Sequence, residues 1–294
     1  MILFPALAAL LASFGWASGS VLAHDPAKRL GAFEFTRIQL VACSAILAVI
    51  CSVLGLWGSI DVAHWPAFAI SILFGILLGN LAMIEALRRG GPRVLELLLT
   101  MKAPIVALMA YFWLGEVLSL WDCIGAGVTL AGIVLAIMSS GGSRGSDPNS
   151  GGLIVVILLS LTAAILQGLG FLIVKPALLD GAAPLAVSAV RLLGAGLLIS
   201  VIALWPSTAF QPKERPTPKL VGATILPGFI GYGVSSSLLL VAMAHMQAGI
   251  AVTLGSLSPV MVLPILWLKT GHRPDKLAWI GAMLAVLGTA LIAL

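Results

Sequence analysis

Apolar residues run along this chain in long stretches broken by short polar segments rich in Gly and Pro. Lipid offers no partners for backbone N–H and C=O groups, so a segment crossing it is a helix or part of a closed barrel. Barrel strands alternate apolar and polar residues over about ten positions. These stretches do not alternate, and each is about 20 residues, the length of helix that crosses about 30 Å of hydrocarbon. The pattern predicts ten spans, near residues 3–22, 33–55, 67–87, 93–113, 119–138, 153–174, 185–204, 220–242, 247–268 and 275–293.

The breaks divide the chain evenly. His24-Asp25-Pro26-Ala27-Lys28-Arg29 separates the first two spans, and Arg88-Arg89-Gly90-Gly91-Pro92-Arg93 the third from the fourth. Residues 139–152, SSGGSRGSDPNSGG, read as a flexible linker. They leave five spans on each side: a first repeat over 1–138 and a second over 153–294. The halves share anchors at nearly one offset. Arg37 matches Arg191, Pro104 matches Pro259, Trp121 and Gly125 match Trp279 and Gly281, and Gly132 matches Gly288. An odd number of spans per repeat forces the two into opposite orientations, an arrangement that recurs among secondary transporters. The expected fold is an all-α integral membrane protein of ten transmembrane helices arranged as two inverted five-helix repeats.

Composition agrees. Of the 294 residues 60% are hydrophobic and 9% charged, against about 25% charged in ordinary soluble domains. Mean hydropathy is +1.13. A soluble enzyme, a nucleic-acid binder and a disulfide-rich secreted domain are excluded. The net charge of +5 reflects loop residues. Lys28, Arg29, Arg37, Arg88, Arg89, Arg93, Arg144, Lys213, Arg215, Lys219, Lys269, Arg273 and Lys276 fall on one side, Lys175 and Arg191 on the other. The positive-inside rule makes the first side cytoplasmic and puts both termini outside, in a bacterial inner membrane. Cys43, Cys51 and Cys123 lie inside apolar runs and suggest no disulfide framework. Nothing in the chain calls for a cofactor, metal or nucleic acid. The partners expected are a small-molecule substrate and the lipid bilayer, and a monomer fits.

Leu114-Gly115-Glu116, followed by Trp121, Gly125 and Gly132 and preceded by Pro104, gives the chain a further meaning. This order resembles the repeat ending of the EamA-type, ten-helix members of the drug/metabolite transporter superfamily. Arg37 and Arg191 resemble the arginine found early in the second helix of each repeat. The second half departs from the pattern, with Thr270-Gly271-His272 where Gly-Glu would stand. In length and character the chain is similar to YddG-like exporters of aromatic and other neutral amino acids. The resemblance implies two inverted five-helix repeats around a central cavity lined by spans one, three, four, six, eight and nine, with spans five and ten outside it.

Polar residues in the spans give the candidate site. Lys102 sits mid-span in span four without an acid at i±3 or i±4. An ammonium at that depth costs about 2.5–3.5 kcal/mol, which a substrate carboxylate would offset. The alternative is a structural pairing with Glu85 or Glu96. Asn80, Gln167, Tyr232 and Ser256 can hydrogen-bond polar substrate atoms. Trp16, away from either interface, can supply apolar surface. Pro104, Pro259 and Pro264 interrupt spans four and nine and are candidate gates or hinges. Glu85 with Arg88 and Arg89, and Arg93 with Glu96, read as local ion pairs at a boundary. Gly15/Gly19 and Gly75/Gly79 read as close helix packing. Span one has no mid-span Glu, so proton coupling has no obvious carrier. The function expected is alternating-access export of small neutral or aromatic amino acids and similar metabolites, by a facilitative route. A proton-coupled multidrug or other metabolite carrier of the same fold is the alternative. An intramembrane serine enzyme is disfavoured, because no in-span His accompanies Ser256 or Ser258.

Overall fold

The computed structural model describes residues 3–114, 120–138, 152–207, 210–246, 248–271 and 273–291. Most of the expected linker, together with Gly115, Glu116 and His272, lies outside them. Every regular element among the described residues is helical. Span one is the helix Leu3–Leu30, span two Ala32–Val53, span five Leu120–Met138, span seven Pro184–Ala203 and span ten Lys276–Leu291. Span six is Gly152–Leu172, continued by a short helix Lys175–Leu179. Six helical runs are long and apolar enough by themselves to cross a membrane, and spans four, nine and ten add shorter apolar helices.

Span three begins as Trp65–Ile70, widens into a π-helix over Ser71–Leu78, and continues in Gly79–Leu99. That last helix turns the corner into span four at Gly91, whose φ of 77° admits glycine readily and other residues poorly. Span eight repeats the design: Pro218–Gly228, a π-helix over Phe229–Ser235, then Ser236–His245. π-segments are rare and gather at functional sites. Here they occur at matching places in the two halves.

Spans four and nine are both discontinuous. Span four stops at Leu99 and resumes as Lys102–Leu114, while span nine is Ala248–Gly255 and then Ser258–Thr270. The breaks fall at Thr100-Met101 and Ser256-Leu257, just before Pro104 and Pro259 and not at the prolines themselves. A proline cannot donate to the carbonyl one turn earlier, so the interruption lies on its N-terminal side. Pro264 makes no break: Ser258–Thr270 runs through it.

The halves pack as an inverted pair. Span five lies along span ten and span two along span seven, while span six meets spans three and four as span one meets eight and nine. Spans five and ten interlock through missing side chains. A Cβ on Gly132 would stand 2.4 Å from the Ala285 nitrogen, and one on Gly288 2.3 Å from the Thr129 nitrogen. The largest apolar cluster, including Ala12, Leu178, Val187, Met243, Ala248 and Val252, fills the end opposite the Lys/Arg-rich loops.

Candidate functional site

One cavity of about 90 Å³ lies between the halves. Trp16, Asn80, Lys102, Gln167, Tyr232 and Ser256, separated in sequence by up to 240 positions, all line it. It reaches Ala23, Leu87 and Pro227, toward the Lys/Arg-rich end. Its walls come from spans one, three, four, six, eight and nine, with Gln39 and Arg191 added from spans two and seven. Spans five and ten contribute no lining residue among the described residues.

Lys102 opens the second half-helix of span four. Its ammonium donates to Gln167 Oε1 at 2.9 Å, and Gln167 Nε2 donates to Asn80 Oδ1 at 3.0 Å. Three candidates thus form one chain across spans four, six and three. The Lys102 Nζ also lies 5.5 Å from the Trp16 ring centroid and 5.9 Å from that of Phe171. The two rings meet edge to face at 6.4 Å. Such contacts favour a cation because the ring faces are negative. Tyr232 is buried with an unpartnered hydroxyl, and the Asn80 Nδ2 likewise has no partner. Ser256 donates to Val252 O at 2.7 Å inside the span-nine break. Neither Pro104 nor Pro264 is among the cavity-lining residues, and Pro259 directly follows the lining residue Ser258.

Glu85 pairs with Arg88 and Arg89, as its spacing suggested. Glu96 does not follow its spacing. It is 3% exposed, lines the cavity, and is hydrogen-bonded to Ser20 and Ser258. Past the corner at Gly91 the chain enters span four with Glu96 turned inward. The Ser258 partner begins the second half-helix of span nine, whose N-terminal end favours negative charge. Arg93 instead faces Asp275.

Arg191 is a further charged lining residue, after Lys102 and Glu96. It is 1% exposed. Its Nε donates to Ser71 Oγ at 2.7 Å, and Ser71 Oγ donates to Gly170 O at 2.7 Å. The guanidinium carbon lies 4.7 Å from the Phe171 centroid. Gly75 and Gly170 cross just beside it, so closely that a Cβ on Gly75 would sit 2.7 Å from the Gly170 Cα. The π-segment of span three supplies both Ser71 and Gly75 to this corner.

The pattern of the EamA-like transporter family matches residues 3–138 and 154–294, one match to each five-span half. The chain belongs to the EamA-like transporter family. This EamA-like protein is therefore a membrane transporter and not an enzyme. No curated protein matches it. A protein of known crystal structure superposes with a TM-score of 0.74 at 20% identity, over 98% of this chain and 95% of that one. That likeness concerns the fold alone.

Proposed function

We propose that this EamA-like transporter exports small neutral or aromatic amino acids and similar metabolites from the cytoplasm of a bacterial cell, in the manner of YddG-like exporters. The observation that carries the reading is the Lys102–Gln167–Asn80 chain beside the Trp16 and Phe171 rings. It joins a cation for a carboxylate, amides for further polar atoms, and aromatic surface for an apolar side chain. Tyr232 and Ser256 add hydroxyls. The cavity volume of about 90 Å³ favours a small solute over a drug-sized one, whose pockets run to about 300–1,000 Å³.

The positive-inside bias makes the Lys/Arg-rich end cytoplasmic. The cavity then leans toward the cytoplasm, and the large apolar cluster closes the far end. Alternating access would open that cluster and close the basic end, with the broken spans four and nine, next to Pro104 and Pro259, as the moving parts. Glu96 supports a second reading, a proton-coupled carrier, because it is a buried carboxylate facing the solute path.

Counterflow in proteoliposomes tests the first reading, with radiolabelled neutral, aromatic, acidic and basic amino acids and one cationic dye, on wild type and Lys102→Ala. Amino-acid exchange that needs no pH gradient and is lost in Lys102→Ala is expected. Transport of the dye alone, or exchange unaffected by the substitution, would overturn the reading.

A further inference from the structure

We propose that Arg191 binds the substrate's carboxylate as a forked donor, so that the cavity takes small solutes with a free carboxylate whether or not they carry an ammonium. The inference rests on the transport reading above and deepens it. Lys102 would supply a second positive charge beside Phe171, since its ammonium and the Arg191 guanidinium both lie within 5.9 Å of that ring's centroid.

The two halves of the chain make the argument. Arg37, the counterpart of Arg191, gives its fork to Glu34: Nε and Nη2 each donate to one carboxylate oxygen at 2.7 Å. Glu34 stands three residues before Arg37. Three residues before Arg191 stands Ser188, which accepts a hydrogen bond from Ser237. The second repeat has the arginine without the acid. Arg191 is also the more buried of the two, with Nη1 and Nη2 both unpartnered. A buried guanidinium without a carboxylate or equivalent acceptor is costly, and its planar fork matches a carboxylate bidentately.

The rest of the cavity has the same bias. Among the fully buried lining side-chain atoms, the others without a partner are the Asn80 amide nitrogen and the Tyr232 hydroxyl, both able to donate. Three of the acceptors are already engaged: Gln167 Oε1 by Lys102, Asn80 Oδ1 by Gln167, and the Glu96 carboxylate by Ser20 and Ser258. A carboxylate offers these unpartnered donors both acceptor oxygens and negative charge.

The test uses the full chain in proteoliposomes and three probes: L-lactate, with a carboxylate and no ammonium; L-alanine, with both; and L-alaninamide, with an ammonium and no carboxylate. Wild type is compared with Arg191→Gln, Arg191→Lys and Ser188→Glu. The last restores the arrangement of the first repeat and occupies the fork from within. Wild type should exchange lactate and alanine but not alaninamide. Arg191→Gln and Ser188→Glu should raise the half-saturation concentration for both by about ten- to a hundredfold, and Arg191→Lys by less. Wild-type exchange of alanine by both Arg191→Gln and Ser188→Glu would overturn this inference and leave the transport reading standing. Wild type that moves alaninamide alone, or none of the three, would overturn both. Should the variants fail to fold, thermal unfolding of the wild type decides. Stabilisation by lactate and not by alaninamide supports the assignment, and any other result overturns it.

Discussion

Replacing Gln167 by Leu cuts the chain Lys102–Gln167–Asn80 at its centre while keeping most of the side-chain volume. Three hydrogen bonds are lost, the one from the Lys102 ammonium at 2.9 Å, the one to Asn80 Oδ1 at 3.0 Å and a weaker one to Met83 Sδ at 3.2 Å. A hydrogen bond to a charged group contributes about 1.5–3 kcal/mol. The ammonium then has no amide oxygen to hold it at the cavity wall, and ordering its side chain on binding costs further rotamer entropy. At about 1.4 kcal/mol per factor of ten, the half-saturation concentration for L-alanine counterflow should rise about ten- to a hundredfold. Ser200→Ala is the control, since Ser200 bonds to Gly196 O in span seven and is not among the cavity-lining residues. Its half-saturation should not move. Unfolding in detergent shows whether both variants are folded. A folded Gln167→Leu protein with wild-type half-saturation would refute the idea that this chain positions Lys102 for the solute.

Gly132→Leu should lower the melting temperature sharply, because its side chain meets the Ala285 backbone of span ten, with a cost of about 1–3 kcal/mol or more. Gly127→Ala in the same helix has no neighbour within 4 Å and should melt at or above wild type. Glu96→Gln should abolish any stimulation of transport by a pH gradient if the proton-coupled reading holds, and leave exchange at equal pH intact; a gradient response that survives would eliminate that reading. The Glu214 carboxyl, bonded to the exposed Arg29 guanidinium, is held below the usual carboxylate range. A lowered pKa means that this pair's small contribution is present near neutral pH and fades as pH falls through the carboxylate range. The difference in melting temperature between wild type and Glu214→Gln should accordingly be slight at pH 7, vanish under acid, and shrink with salt.

The spans were legible because lipid imposes one length and one hydrogen-bonding pattern on every crossing segment. Trp16, Lys102 and Gln167 stood out for a related reason: each is out of place at its depth. The breaks in spans four and nine could be sensed from Pro104 and Pro259, yet proline acts one turn upstream, which displaced them to Thr100-Met101 and Ser256-Leu257. The π-segments at Ser71–Leu78 and Phe229–Ser235 leave no mark in an apolar sequence. Glu96 was hidden by Arg93 at i−3, a spacing that suggests a surface pair; only the corner at Gly91 shows that it turns inward. Arg191 looked like a charge near the end of a span. Its burial depends on Gly75 and Gly170 coming together beside it, a contact between spans that no local pattern reports.

The central claim is that the solute passes through this cavity and not along another route. Gly231 lines it beside Trp16, and a Cβ there would meet only the Trp16 ring, at 3.8 Å. Gly231→Cys, in a chain with Cys43, Cys51 and Cys123 replaced by Ala, can be alkylated by a small membrane-impermeant thiol reagent in inverted and right-side-out vesicles. The account predicts labelling from the cytoplasmic face, slowed by L-alanine with the half-saturation seen in transport. Labelling that saturating L-alanine leaves unchanged, in a protein that still exchanges it, would contradict the account.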